Sequence, residues 1–117
     1  MINNITTIKQ DLNKYFYTAD VIDEIKKNIE VDLDAKVDSL PGQIQFRISK
    51  KTAKANGFKF NDSSMAYGYI ESLLLRIYGN HTEDLKNLGI DYSILSNNIP
   101  FMYRLNVISG NTFILEF

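Results

Sequence analysis

Residues 31–48 read VDLDAKVDSLPGQIQFRI, and the spacing of their apolar residues decides the fold class. Every second residue from Val31 to Val37 is apolar, which is typical of a strand with one buried face. Leu40-Pro41-Gly42 supplies a turn, because proline fixes φ and glycine tolerates positive φ. The alternation resumes after the turn and predicts an antiparallel hairpin. Its predicted inner face consists of Val31, Leu33, Ile44, Phe46 and Ile48.

The segment before this hairpin has a helical repeat. Apolar residues lie three or four positions apart, which predicts one amphipathic helix. They are Ile5, Ile8, Leu12, Tyr15, Ala19, Ile22 and Ile29. Thr18 and Asp20 are good N-cap residues, so a break there that starts a second helix remains an alternative. We expect packing against the protein's own sheet rather than a coiled-coil dimer, because the repeat has a charged residue at Lys26.

Further helices follow the hairpin. A short helical turn is predicted from Ser49 to Ala55, before Phe58 and Phe60 fold back. A longer helix is predicted from the cap candidates at residues 61–64 to Gly79-Asn80. Its predicted core face consists of Ala66, Ile70, Leu73, Leu74 and Ile77. A short helix from Thr82 to Leu88, with Thr82 as N-cap, and a turn from Asp91 to Ser96 complete this region.

The C-terminal residues alternate again. One predicted strand buries Phe101, Tyr103, Leu105 and Val107, and the next buries Phe113, Leu115 and Phe117. Residues 109–111, Ser-Gly-Asn, form the turn between them. We therefore predict an α+β fold in which two hairpins form an antiparallel four-stranded sheet, packed by the N-terminal and central helices, in the order α-β-β-α-(α)-β-β.

Length and composition suit one domain spanning residues 1–117. The chain is 44% hydrophobic and 23% charged, so a core can form without disulfides or bound metal. It contains no cysteine, and its N-terminus lacks the basic and apolar regions of a signal peptide. We expect a cytoplasmic protein, in a bacterium or in a host cell if it is phage-encoded. Frequent Asn, Ile, Lys and Tyr favour a low-GC bacterium, its phages or a mobile element as the source.

Catalytic motifs are missing from the sequence. There is a single histidine, His81, and no nucleophile elbow, phosphate-binding glycine loop or HExxH motif. Glu30, Asp32 and Asp34 would share one face of the predicted strand, and clustered carboxylates bind Mg²⁺. Because those acids would also lie near Arg47 and Lys36, we predict neither a metal site nor a cofactor. A metal-dependent nuclease is the third functional hypothesis.

A basic segment supports a nucleic-acid hypothesis. Residues 41–60 carry five basic residues and no acid, although the net charge of the chain is -1. The candidate contacts are Gln43, Gln45, Arg47, Lys50, Lys51, Lys54 and Lys59. The alternation of Gln43, Gln45 and Arg47 resembles the reading strand of ribbon-helix-helix repressors, which implies base contacts in the major groove. Residues 49–56 are too few for the helix that this family requires next.

Aromatic residues on a second helix face favour protein binding. Tyr67, Glu71, Leu75 and Tyr78 lie opposite the predicted core face of the central helix. Such a face packs either within the domain or on a partner, and tyrosine is common in interfaces. Our leading hypothesis is a small non-enzymatic protein-binding module, an inhibitor or adaptor that also forms homodimers, with nucleic-acid binding as the alternative.

Overall fold

The computed structural model describes residues 12–58, 63–109 and 111–117. Its elements are α1 (Ala19–Leu33), β1 (Lys36–Leu40), β2 (Gln43–Arg47), α2 (Lys50–Ala55), α3 (Ser64–Asn80), α4 (Thr82–Asn87), α5 (Tyr92–Met102), β3 (Arg104–Ser109) and β4 (Thr112–Glu116). Residues 12–16 are also helical. The strands form one antiparallel sheet in the order β1-β2-β4-β3, which confirms the predicted α+β fold. Within the described ranges, no helix is long and apolar enough to cross a membrane.

The predicted N-terminal helix is interrupted at Thr18. The Thr18 hydroxyl accepts a hydrogen bond from the Val21 N–H at 3.3 Å, and α1 begins at Ala19. This restart changes which residues face the core, because Tyr15 and Ala19 are exposed instead of buried. The buried stripe of α1 consists of Val21, Ile25, Ile29 and Leu33. The alternative of two helices is therefore the correct one, while Ile5 and Ile8 lie outside the described residues.

The prediction of a strand beginning at Val31 is wrong. Helix α1 continues to Leu33, because Ile29 and Leu33 extend its buried stripe at a four-residue spacing. Val31 is consequently 81% exposed on the helix and takes no part in the inner face of the sheet. Asp34 ends the helix in the left-handed conformation with φ 48°, and β1 starts only at Lys36.

The hairpin turn and its second strand agree with the sequence pattern. Gly42 has φ 74°, and Leu40 lies opposite Gln43 across the turn. Ile44 and Phe46 are buried on the inner face of the sheet. The Phe46 ring stacks on that of Phe113 in β4, with ring centroids 5.1 Å apart. The central strands β2 and β4 therefore anchor the core.

The central helices follow the predicted pattern closely. Ser49 caps α2 by accepting a hydrogen bond from the Thr52 N–H at 3.1 Å. Helix α3 ends at Asn80 as expected, and every residue of its predicted core face is buried. The N-cap of α4 is His81 rather than Thr82. Thr82 instead donates its hydroxyl proton to the Tyr78 carbonyl oxygen at 3.1 Å. Phe60 lies outside the described residues.

Helix α5 is longer than the predicted turn. Asp91 caps it by accepting a hydrogen bond from the Ile94 N–H at 2.8 Å, and the helix passes through Pro100 to Met102. Pro100 lies inside the helix, where it has no N–H to donate to the carbonyl of residue 96 and one helical hydrogen bond is missing. Phe101 therefore lies on the helix and is exposed, which corrects its assignment to the inner face of β3. Tyr103, Leu105, Phe113 and Leu115 are buried as predicted.

Candidate functional site

One face of the sheet is covered by none of the helices in the described part of the chain. The helices pack on the face that carries Ile44, Phe46, Leu105, Phe113 and Leu115. Alternation along the strands assigns the other face, here called the outer face, to Lys36, Asp38, Leu40, Gln43, Gln45, Arg47, Arg104, Asn106, Ile108, Thr112, Ile114 and Glu116. None of these side chains is buried, so the outer face is available for binding.

The outer face mixes apolar and charged groups. Leu40 and Ile108, at diagonally opposite corners, are 51% and 53% exposed, and Ile114 is half-buried between the corners. Asn106 donates a side-chain hydrogen bond to Glu116 across β3 and β4 at 3.1 Å. The face carries both signs of charge but no aromatic side chain. It therefore lacks the stacking surface with which many proteins bind single-stranded nucleic acid.

Basic residues occupy one corner of this face and the helix that follows it in the chain. The strand register places Lys36 directly opposite Arg47, and α2 begins three residues after Arg47. We define the basic corner as Lys36, Arg47, Lys50, Lys51 and Lys54, all of which are exposed. None of the five forms an ion pair within the described part of the chain. Like charges opposite each other destabilise a strand pair, so the corner is electrostatically suited to an acidic partner.

Lys36 was missed as a candidate because sequence reasoning grouped it with the neighbouring acids. The turn residues held the necessary signal, since a two-residue turn at Pro41-Gly42 pairs Leu40 with Gln43 and, four residues back, Lys36 with Arg47. Gln43 and Gln45 lie on the outer face as predicted and are half-buried. Lys59 falls outside the described residues.

The three acids of the metal hypothesis do not converge. Glu30 and Asp32 lie on α1, and Asp34 terminates it, so they share no strand face. Asp32 instead links α1 to α3, accepting hydrogen bonds from the Tyr69 hydroxyl at 2.7 Å and from Arg76 at 2.6 Å. Residues 12–58, 63–109 and 111–117 contain no group of three His, Cys, Asp or Glu side chains that could hold a metal ion.

The electrostatics of Asp32 fit a structural link. Partial burial acts to raise the pKa of this carboxyl group, but the hydrogen bonds from Tyr69 and Arg76 outweigh it, and the pKa lies below its ordinary value. The pKa of the Tyr69 hydroxyl is raised, first by burial and then by its bond to the Asp32 carboxylate. Asp32 therefore stays ionised and joins two helices.

The candidate partner-binding residues on α3 contact the protein itself. Tyr78 is only 5% exposed, and its ring meets that of Tyr92 in α5 edge to face. The Tyr67 hydroxyl donates to the Leu105 carbonyl oxygen at 2.9 Å. Glu71 and Leu75 are half-buried on the same side of α3. Tyr67 and Tyr78 thus lie where α3 meets β3 and α5, and Tyr67 has the largest exposure of the four residues.

His81 is not a free loop residue. Its Nε2 atom lies 3.1 Å from the Glu24 carboxylate of α1, but the two groups are not aligned for a hydrogen bond. Among the described residues, His81 therefore lies against a side chain of its own protein.

Comparisons with known proteins do not identify a relative. No family model matches the chain, and neither the curated proteins nor the solved structures contain a significant match. The function must therefore be inferred from the surfaces of the fold.

Proposed function

We propose that this protein is a non-enzymatic binding module that acts as an inhibitor or adaptor by laying its outer face on an acidic surface of another protein. The proposal is carried by one observation, an uncovered sheet face on which apolar residues lie among charges of both signs. Protein interfaces likewise combine apolar contact area with polar and charged groups.

The charge of the basic corner defines the chemistry of the partner. Five exposed cations there have no ion pair within the described residues, whereas the chain as a whole is slightly acidic. An acidic protein surface would relieve the repulsion between Lys36 and Arg47 and would orient the encounter. Exposed Leu40 would then add apolar contact on the same strand as Lys36.

The test compares two matched apolar-to-acidic variants. Leu40→Asp changes the outer face, and Leu88→Asp changes a residue of nearly equal exposure beside α4. Immobilised wild type and both variants are incubated with nuclease-treated lysate of the source cell, and captured proteins are quantified by mass spectrometry. We expect a protein whose recovery falls at least tenfold with Leu40→Asp and is unchanged with Leu88→Asp. Equal recovery with both variants, for every captured protein, contradicts the proposal.

Nucleic-acid binding is the second candidate, and the pairing of Lys36 with Arg47 beside the α2 lysines favours it. Phosphate contacts would dominate, because the outer face has no aromatic group for stacking. Binding should then weaken linearly with salt on logarithmic axes, with a slope that falls by about one for each contact removed. Fluorescence anisotropy with duplex and single-stranded DNA and RNA tests this, using Lys51→Glu against Lys86→Glu on α4 as the control. Absence of binding at low salt and micromolar protein excludes this candidate.

A further inference from the structure

The two edge strands of the sheet, β1 and β3, differ in the hydrogen bonding of their outward backbone groups. At the β3 edge, the Tyr67 phenol donates to the Leu105 carbonyl oxygen at 2.9 Å and lies 3.4 Å from the Leu105 N–H, which can donate back to it. One side chain thereby occupies the backbone groups of Leu105, which an added strand would use. Proteins commonly block edges in this way to prevent pairing with other chains.

The direction of the backbone groups of β1 follows from the neighbouring ladder. Ile48 N–H donates to Asn111 and Phe117 N–H donates to Gly42, each at 3.0 Å, so the even-numbered residues of β2 face β4. Antiparallel ladders alternate, and the odd-numbered residues of β2 therefore face β1. Their partners are Lys36, Asp38 and Leu40.

The N–H and carbonyl groups of Val37 and Ser39 consequently point away from the sheet. No hydrogen bond reaches them from any of the described residues. Ser39 and Leu40 are exposed and Val37 is half-buried, as expected of an uncovered edge. β1 thus offers a template for another strand, whereas at β3 Tyr67 occupies the outward backbone groups of Leu105.

The charges of β1 are complementary to a second copy of β1. If Val37 pairs antiparallel with Val37 of another copy, Lys36 lies opposite Asp38 of that copy, and Asp38 lies opposite its Lys36. These are non-hydrogen-bonded pairs, in which side chains approach most closely, and opposite charges there stabilise the pair.

The neighbouring registers lack this complementarity. Pairing Val37 with Ser39 sets Asp38 against Asp38 of the other copy, which is repulsive. Pairing Ser39 with Ser39 places Asp38 against an apolar Leu40. A shift by one residue would exchange the inner and outer faces of one copy relative to the other.

We propose that two copies of this protein associate along β1, with Val37 at the two-fold axis, so that their sheets become continuous. A five-residue strand buries less area than a standard interface, so the dimer is weak and forms at tens to hundreds of micromolar, as an order of magnitude. Lys36 and Asp38 also belong to the outer face, but self-association is measured on the purified protein without any partner, so the inference does not depend on the function proposed above.

Charge exchange within β1 provides the first test, read by sedimentation velocity over a concentration series. Lys36→Asp and Asp38→Lys each set like charges opposite each other across the two-fold axis, and each should weaken association at least tenfold. The double variant restores opposite charges and should regain wild-type association. Lys86→Asp on α4 is the matched control and should have no effect. A wild type that stays monomeric to about 1 mM, or a double variant that remains as weak as the single ones, overturns the proposal.

Disulfide trapping tests the register itself. The chain contains no cysteine, so an introduced one can form a disulfide only between copies. Val37→Cys keeps both charges of β1. It places the two cysteine Cα atoms about 5.5 Å apart, a distance that a disulfide spans. It should yield covalent dimers under mild oxidation faster than Ser39→Cys, whose thiols would be separated along the strand. Faster cross-linking by Ser39→Cys or by Asp38→Cys contradicts the Val37 register.

Discussion

The phenolic oxygen of Tyr67 lies 2.9 Å from the carbonyl oxygen of Leu105 and takes the place of a neighbouring strand at the edge of β3. Its ring also contacts Tyr103, with centroids 5.7 Å apart. A residue that the sequence marks as an interface candidate thus satisfies backbone groups within its own chain. The contact joins α3 to the edge strand β3.

Replacement of Tyr67 by phenylalanine should destabilise the fold modestly. The variant keeps the ring but leaves the Leu105 backbone groups to water, so the free energy of unfolding should fall by about 1 kcal/mol. Urea denaturation followed by circular dichroism measures the change. Tyr92→Phe removes a hydroxyl from an exposed ring and serves as the control, with an expected change below about 0.5 kcal/mol. Equal stability of the Tyr67→Phe variant and wild type would show that the phenol contributes nothing at this edge.

Asp32 should make stability depend on acidity. Its pKa in the folded protein lies below the unfolded value, so its stabilisation is present above the unfolded pKa and is lost as the pH falls through the folded one. The effect is small, about 1 kcal/mol at neutral pH, because solvent screens this partly exposed group. Denaturation of wild type and Asp32→Asn from pH 7 to pH 2 should show a stability difference that shrinks towards low pH.

The control for that series is Glu30→Gln, which removes a carboxylate from the same helix. Glu30 is exposed and forms no ion pair within the described residues. The Glu30→Gln variant should therefore lose stability on acidification as the wild type does. A stability difference between wild type and Asp32→Asn that stays constant with pH would contradict stabilisation by the bonds from Tyr69 and Arg76 to the ionised carboxylate.

Asp34→Gly should stabilise the protein. Asp34 has φ 48°, a conformation that glycine adopts without the steric cost that a Cβ imposes, and glycine is the preferred residue after a helix end. We expect the free energy of unfolding to rise by about 0.5 to 1 kcal/mol in thermal or urea denaturation. Asp34→Val should lower it instead, because a β-branched side chain resists positive φ. The opposite order of the two variants would contradict the left-handed helix end.

Lys36→Glu should separate stability from binding. The substitution turns a repulsive cross-strand pair with Arg47 into an attractive one, so the free energy of unfolding at low micromolar protein should rise by about 0.5 kcal/mol. The same variant should bind an acidic partner or nucleic acid more weakly. Loss of stability together with loss of binding would indicate that Lys36 has a structural role instead.

The sequence alone was sufficient to predict an element when its apolar spacing and its end signals lay within the same segment. The core face of α3 and the turn at Pro41-Gly42 follow from residue spacing and from proline and glycine geometry, and both are present in the structure. The open outer face also follows from strand alternation once the sheet is known. The basic corner needed the hairpin register as well, which the two-residue turn at Pro41-Gly42 sets by pairing Lys36 with Arg47.

Tertiary packing decided the secondary structure where both helical and strand spacing fit the same residues. The alternating segment 31–37 is compatible with a strand, but Leu33 completes the buried stripe of α1, and its burial there stabilises the helix over the strand. The contacts of Tyr67 and Tyr78 could likewise not be predicted from the sequence of α3 alone. An apolar second helix face can pack on a partner or on another element of the same chain. The sequence by itself determined the composition of each face. Only the arrangement of α5 and β3 against α3 determined that these two tyrosines contact the protein itself, because those contacts join residues far apart in the chain.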